Sequence, residues 1–462
     1  MNKKSLSIFM LAMMNVAAIG GLKNWPTIAE YGFSSLFLFL LATLVFFLPT
    51  ALVSAELATG WPKTGGVYAW VKEAFGHKAG FLAIWLLWIQ NVVWYPTMLS
   101  FIASTLAYLI NPALIHNKFY MLSMIISIFW IVTCINFRGM RLSGWISSFG
   151  VIVGNFLPGL IIIVLGALWY FQGKPLEIPL DRAHVIPDFS SLQHLVFFAG
   201  LILSLCAIEM SAVHAKDVEN PQKNYPKAIL ISAILIIGSS ILGVLAISAV
   251  VPQKEISLTA GSMQAIYALF EAYHLSGLIP LLVVLVVIGA LASLSTWITG
   301  PSSGLLAAAQ GGDLPPFFRK LNKHNMPVAL LITQAIIMTL LSSLFIFMPT
   351  VDSAFWILTA LVAEAYLVMY VLLFGAAIRL RYTKASTPRA YKVPGGKIGM
   401  WIVAGTGILS SLFATIVSFL PPAQIPTGNK IFYMSFLSIG LTLICLTPFV
   451  ILRCKKPSWK NT

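Results

Sequence analysis

Twelve long apolar segments dominate this sequence and constrain its fold more than any other feature. Each is long enough to cross a bilayer, for which a helix needs about 20 residues. They lie at 6–28, 33–55, 80–109, 119–137, 145–170, 191–212, 228–251, 277–308, 328–348, 354–380, 399–420 and 431–452. Only 9% of the chain is charged, against about 25% in ordinary domains. The pattern predicts an all-α polytopic membrane protein with twelve transmembrane helices.

The distribution of basic residues predicts the orientation in the membrane. If twelve helices cross, both termini lie on one side, together with alternate loops. All of the 29 lysines and arginines fall on that side except Lys23, Lys118, Lys174, Arg182, Lys254 and Lys430. The positive-inside rule therefore places both termini in the cytoplasm. The first segment imitates a secretory signal, but a second apolar run begins at Phe33, so we expect a retained helix.

Charge and cysteine content exclude several other classes of protein. The net charge of +15 follows the membrane topology and does not indicate a nucleic-acid partner. The four cysteines and seven histidines show no metal-ligand spacing, so we expect no metal and no cofactor. Neither a Ser-His pair nor a polar stripe along one helix is present, which argues against an enzyme and a channel. The basic loop 382–397 could contact anionic lipid, although a plain solvated loop is favoured.

Two predicted helices carry features that interrupt a membrane helix. The sixth contains Glu209 at mid-membrane, where a carboxylate is expensive, after the small residues of Ser204–Ala207. The first contains Gly20 and Gly21, which weaken a helix. Each has a plainer interpretation: a neighbour could satisfy Glu209 in a continuous helix, and glycines also serve close helix packing. Together, as the first helices of two five-helix halves, they indicate a transporter's binding site.

Two further charges lie deep in the apolar segments. Lys23 follows the glycines, and Glu364 lies within the tenth segment, two positions before Tyr366. Lys23 could bind a substrate carboxylate, pair with Glu364 or reach the outer surface. We expect Lys23 and Glu364 to face one cavity as a pair, since opposite charges stabilise each other when buried.

The chain resembles the amino acid–polyamine–organocation superfamily, and within it the bacterial glutamate/GABA antiporters. The residues that carry the resemblance are Ala18–Pro26, Ala55–Ala58, Gly65–Trp70, Glu209 with Glu219–Pro221, Trp297–Ser302 and Pro394–Lys397. The resemblance implies a five-plus-five inverted repeat with broken helices 1 and 6. The repeats would be 1–170 and 191–381, followed by two extra helices in 398–452. It also implies alternating access and exchange of amino acids across the inner membrane.

The sequence departs from those antiporters at three positions. Lys23 replaces an aromatic residue, Ser293 a carboxylate and Glu364 an apolar residue. Glutamate as the substrate therefore does not follow from the resemblance. The main alternative is a polyamine or cationic amino acid/proton symporter, which Glu209 and Glu364 favour and Lys23 disfavours.

The candidate site combines these observations. Residues predicted to bind substrate are Ile19, Gly20, Gly21, Lys23, Ser204, Cys206, Ala207, Glu209, Trp297 and Tyr366. Residues predicted to gate or to couple protons are Lys23, Glu209, Glu364 and Trp94, although aromatic residues such as Trp94 and Trp297 are often packing residues. The expected partners are small amino acid substrates and the lipid bilayer.

The predicted topology can be tested by labelling single cysteines. A cysteine placed in 171–190 should react with a membrane-impermeant reagent added outside intact cells, and one in 382–397 should not. Labelling of both positions from the same side would contradict the twelve-helix topology.

Overall fold

The computed structural model describes residues 7–19, 21–61, 65–138, 150, 152–181, 184–187, 189–209 and 221–459. These residues form helices, turns and loops, and no strand occurs among them. The helices are α1 (Ile8–Ile19), α2 (Trp25–Ala29), α3 (Gly32–Gly60), α4 (Val67–Phe75), α5 (His77–Ile110), α6 (Lys118–Asn136), α7 (Val153–Phe171), α8 (Phe197–Ser204), α9 (Pro221–Val250), α10 (Gly261–Ala272), α11 (Ile279–Gln310), α12 (Val328–Phe347), α13 (Val351–Thr383), α14 (Gly396–Ser418) and α15 (Lys430–Arg453).

The long helices agree with the sequence pattern. Within the described ranges, ten helices are long and apolar enough to cross a membrane: α3, α5, α6, α7, α9 and α11–α15. They coincide with ten of the predicted segments to within a few residues, although the first part of the segment 145–170 lies outside the described residues. The predicted segments without a continuous long helix are 6–28 and 191–212, where α1 and α8 stop short. These are the two segments in which the sequence predicted an interruption.

Burial separates central helices from peripheral ones. In the most apolar stretch of α13, 83% of the residues are buried inside the protein, and in that of α5 72% are. The corresponding share for α15 is 11%. An apolar helix can stay unburied in a bilayer because lipid tails are as apolar as its side chains. The core is therefore built around α5 and α13, and α15 lies at the edge.

The basic loop between α13 and α14 is docked onto the protein. The loop 382–397 is largely exposed, as the favoured interpretation of a solvated loop expects, but three of its side chains contradict that interpretation. Arg389, Tyr391 and Val393 are all buried. The guanidinium of Arg389 lies 5.0 Å from the centre of the Trp61 ring.

A single buried carboxylate explains this docking. Glu56, near the end of α3, accepts hydrogen bonds from Arg381 Nε at 2.5 Å, Arg389 Nη1 at 3.1 Å and the Val393 backbone N–H at 2.7 Å. A buried charge is costly unless it is paired and hydrogen-bonded. The loop therefore folds back because its arginine neutralises an acid that α3 buries.

Replacing Glu56 should show how much the hydrogen-bonded group of Glu56, Arg381 and Arg389 contributes to the stability of the protein. Glu56→Gln leaves two buried guanidinium groups without a counter-charge, so we expect a loss of about 3–5 kcal/mol in the free energy of unfolding. Thermal unfolding of the purified protein in detergent measures this. The matched control is Lys384→Ala, which removes a 51% exposed lysine 3.7 Å from Glu73 and should cost less than about 1 kcal/mol. Equal losses in the two variants would contradict the proposed role of Glu56.

Candidate functional site

A cavity of about 140 Å³ lies between the two interrupted helices. Its walls come from the α1–α2 and α8 regions and from α5, α7, α11 and α13. The structure brings these predicted residues together along it: Ile19, Gly21, Lys23, Trp94, Ser204, Cys206, Ala207, Trp297 and Tyr366. Ser293, where the sequence departs from the family it resembles, lines it as well. Gly20 lies outside the described residues.

The first interruption separates α1 from α2. Gly21 has an extended backbone, with φ −161° and ψ 131°, and a short 3₁₀ turn leads on to α2. The Leu22 N–H donates to Asn155 Oδ1 at 3.0 Å, and the Leu22 carbonyl accepts from Ser262 Oγ at 2.7 Å. Asn155 and Ser262, on α7 and α10, thus hold the peptide groups that the interruption frees.

The second interruption follows α8. The chain leaves the helix after Ser204, and Ala207 has a positive φ of 84°. This conformation costs a residue other than glycine about 1–3 kcal/mol and persists only where the surroundings impose it. The Ala207 N–H donates to the Tyr370 hydroxyl at 2.9 Å. Tyr370 of α13 therefore holds this strained segment in place.

Glu209 lies just beyond that segment and is 1% exposed. Tyr366 donates its hydroxyl to Glu209 Oε1 at 2.6 Å, and Tyr370 donates to Oε2. Tyr366 is among the residues that line the cavity, whereas Glu209 is not. The Glu209 carboxylate is therefore linked to the cavity through the Tyr366 side chain. Direct contact of Glu209 with a ligand stays a prediction.

Lys23 is the cation of the cavity. It is 7% exposed, and its Nζ lies 5.1 Å from the centre of the Trp94 ring and 5.3 Å from that of Phe355. Among the described residues, no carboxylate lies within 4.0 Å of Lys23 Nζ, and none lines the cavity. The faces of the two aromatic rings attract a buried cation electrostatically and so supply part of the stabilisation that an anion would give. The cavity therefore favours an anionic group next to Lys23.

The predicted pairing of Lys23 with Glu364 is wrong. Glu364 is fully buried away from the cavity, where Ser418 Oγ donates to its Oε1 at 2.9 Å. Val362 and Tyr366, four residues apart on α13, both line the cavity. A helix turns about 100° per residue, so Glu364, two residues from each, points to the opposite side. A gating or proton-coupling role for Glu364 would have to be exerted from there.

Two amides of α5 offer acceptors to the cavity. Gln90 Nε2 and Asn91 Nδ2 both donate to the Leu87 carbonyl, at 3.2 and 2.8 Å. Each amide nitrogen thereby uses one of its two N–H groups, and both residues line the cavity. The carboxamide oxygens can accept hydrogen bonds from a ligand.

Two acids that the sequence pattern did not single out lie near the end of α2. Asp352 Oδ1, in the first turn of α13, accepts from Ser257 Oγ at 3.0 Å. Burial raises the pKa of Glu30, which follows α2, to about 8, and the charge of Asp352 adds to the effect. The raised pKa of Glu30 makes it a group to be considered in any pH profile.

A ligand-sized cavity between two interrupted helices of a polytopic bundle characterises a membrane transporter. The chain belongs to the amino acid permease family, whose sequence model matches residues 6–444. It is thus a multi-pass transporter and not an enzyme, which confirms the family suggested by the sequence motifs.

Proteins with similar sequences carry the names of transporters, in agreement with the family. An uncharacterized transporter of Legionella pneumophila is 46% identical over 449 residues, which cover 97% of each chain. A glutamate/gamma-aminobutyrate antiporter of Lactococcus lactis is 36% identical over 457 residues, covering 98% of this chain and 91% of the relative. A probable agmatine/putrescine antiporter of the same species is 27% identical over 431 residues, with 90% and 88% covered.

The role of Tyr370 can be tested by removing its hydroxyl. Tyr370→Phe leaves the Ala207 N–H and Glu209 each without one partner, which costs about 1–3 kcal/mol. Where the lost hydrogen bonds destabilise the site with substrate bound, we expect the affinity for substrate to fall roughly tenfold or more. The KM of uptake into proteoliposomes measures this change. Tyr382→Phe, at a 51% exposed tyrosine of the same helix, is the control. An unchanged KM in well-folded Tyr370→Phe would contradict the role.

Proposed function

We propose that this protein is a secondary active amino acid antiporter of the bacterial inner membrane that works by alternating access. The observation that supports this most directly is Lys23, a buried lysine in a cavity between two interrupted helices, for which no described residue offers a carboxylate within 4.0 Å. The glutamate/gamma-aminobutyrate antiporters among its relatives support the same function.

The proposed architecture is a five-plus-five inverted repeat. The ten long helices, added to the two interrupted segments, are consistent with twelve crossings. Residues 1–170 and 191–381 would form the two repeats, with the helices of 398–452 outside them. Both termini would be cytoplasmic, because the basic residues gather on that side.

The cavity suggests how an amino acid would bind. The N–H groups of Leu22 and Ala207 are occupied by Asn155 and Tyr370, so they are not free to bind a carboxylate. Lys23 would bind a side-chain carboxylate of the substrate as a point charge. The oxygens of Gln90 and Asn91 would accept from an ammonium group. Trp94 and Trp297, whose ring centres are 6.2 Å apart, would close over the substrate.

Transport of a polyamine or a cationic amino acid, with proton symport, is the second candidate, because agmatine/putrescine and putrescine transporters are also relatives. Such a substrate would place a second cation close to Lys23. The described lining residues offer no carboxylate to offset that repulsion, and Glu209 is held by two tyrosines. The cavity therefore favours an anionic or zwitterionic substrate.

Counterflow into proteoliposomes would decide between the two candidates. Labelled glutamate, gamma-aminobutyrate, a neutral amino acid, arginine and putrescine should be compared as exchange substrates. We expect exchange of glutamate, gamma-aminobutyrate and the neutral amino acid, and none of arginine or putrescine, because either of the last two would bring a second cation close to Lys23. Exchange of putrescine alone would contradict the proposal.

Removal of the lysine charge gives a sharper test. Lys23→Met should weaken the apparent affinity for acidic substrates more than that for neutral ones, because only the former lose an ionic contact. Lys174→Met is the matched control, since Lys174 Nζ also lies over two aromatic rings, Trp169 at 4.8 Å and Tyr273 at 4.2 Å, outside the cavity. An equal loss for acidic and neutral substrates would contradict the role of Lys23.

A further inference from the structure

Glu364 is a buried acid that the proposed transport site does not use. Its side chain is 0% exposed and faces Ser418 near the end of α14, whose Oγ donates to Oε1. The other oxygen, Oε2, is buried and has no hydrogen-bond partner among the described residues. The carboxyl group therefore has one donor for two oxygens.

No cation among the described residues forms an ion pair with Glu364. Tyr433 of α15 is the titratable group that faces it, and the Tyr433 hydroxyl donates to the Ser418 carbonyl at 3.1 Å and accepts from Trp356 Nε1 at 2.9 Å. α8 itself contains no titratable side chain. The titratable side chain of α14 is Lys397, which lies at the start of that helix, far from Ser418 at its end. On α5, the mid-helix Tyr95 is bound to the Trp297 carbonyl at 3.0 Å.

Such surroundings favour the uncharged form of a carboxyl group. An ionised carboxylate in an apolar interior needs a cation or several donors, and otherwise becomes neutral instead. Glu364 has one hydroxyl donor and, among the described residues, no ion pair. We propose that Glu364 is a proton-binding site, separate from the transport cavity, that regulates exchange from the opposite face of α13.

The path from this site to the cavity is short. α13 carries Glu364 on the side of α14 and α15, and it carries Tyr366 and Tyr370 on the side of Glu209 and Ala207. Loss of the proton places a negative charge in the interface of α13 with α14, which displaces α13 and with it both tyrosines. By linkage, substrate binding and proton binding must then affect each other equally.

Infrared difference spectroscopy tests the proton site itself, without knowledge of the substrate. The spectrum of the wild-type protein minus that of Glu364→Gln should contain the carbonyl band of a protonated carboxylic acid, and this band should vanish as the pH rises. A carboxylate band at every pH would overturn the proposal, whatever the transport activity of either protein.

Exchange activity tests the regulation. In a Glu30→Gln background, which removes an acid outside the membrane-spanning segments whose pKa is raised, activity should fall with rising pH along the same curve as the infrared band. Glu364→Gln should abolish that fall. A pH profile identical to that of the background would overturn the regulatory role, and failure of all exchange in the background protein would bear on the proposed function instead.

Ser418→Ala keeps the test decisive if Glu364→Gln does not fold, because the band can then be followed for each protein in its own spectrum at low pH minus that at high pH. Removal of the donor to Oε1 should move the loss of the infrared band upward by about one pH unit or more, because a hydrogen bond to a charged group is worth about 1.5–3 kcal/mol. Ser411→Ala is the control, since Ser411 is a fully buried serine of the same helix whose Oγ donates to the Gly407 carbonyl at 2.7 Å. If the infrared band were lost at the same pH in Ser418→Ala and Ser411→Ala, the assignment of the proton to Glu364 would be overturned.

Discussion

The fold depends on one constraint, that peptide groups within the apolar layer must find partners inside the protein. A continuous helix meets it alone, but an interrupted one exposes N–H and C=O groups that cost several kcal/mol each if left unpaired. Here Asn155 and Ser262 bind both polar groups of Leu22, and Tyr370 binds the N–H of Ala207. The cavity can exist because residues from neighbouring helices complete its walls.

The same requirement explains the two faces of α13. Its cavity side presents Tyr366 and Tyr370 to the segment that follows α8, while its other side buries Glu364 and Trp356 against the last helices. A central helix with polar groups on both sides links the cavity to the periphery of the bundle. Its high degree of burial leaves little freedom to move one side without the other.

Local features were predictable from the sequence and distant partners were not. The long helices and both interruptions follow from apolar length and from small residues at Gly21 and Ser204–Ala207, which act within one turn. Asn155 and Ser262 lie 133 and 240 residues from Leu22, and a lone Asn or Ser in an apolar segment gives no signal of its partner. The error at Glu364 was avoidable, because helical periodicity already sets it opposite Tyr366.

When its side chain is protonated, Lys23 would also affect how the carrier responds to voltage, because no carboxylate of the described residues lies within 4.0 Å of its Nζ. With an empty cavity, a reorientation of the site would carry a net positive charge through part of the membrane field, which is worth about 2.3 kcal/mol per 100 mV for a full crossing. An anionic substrate would cancel that charge, so the loaded carrier would cross at little electrical cost. A single lysine would in this way oppose the return of an empty carrier and favour tightly coupled exchange over leak.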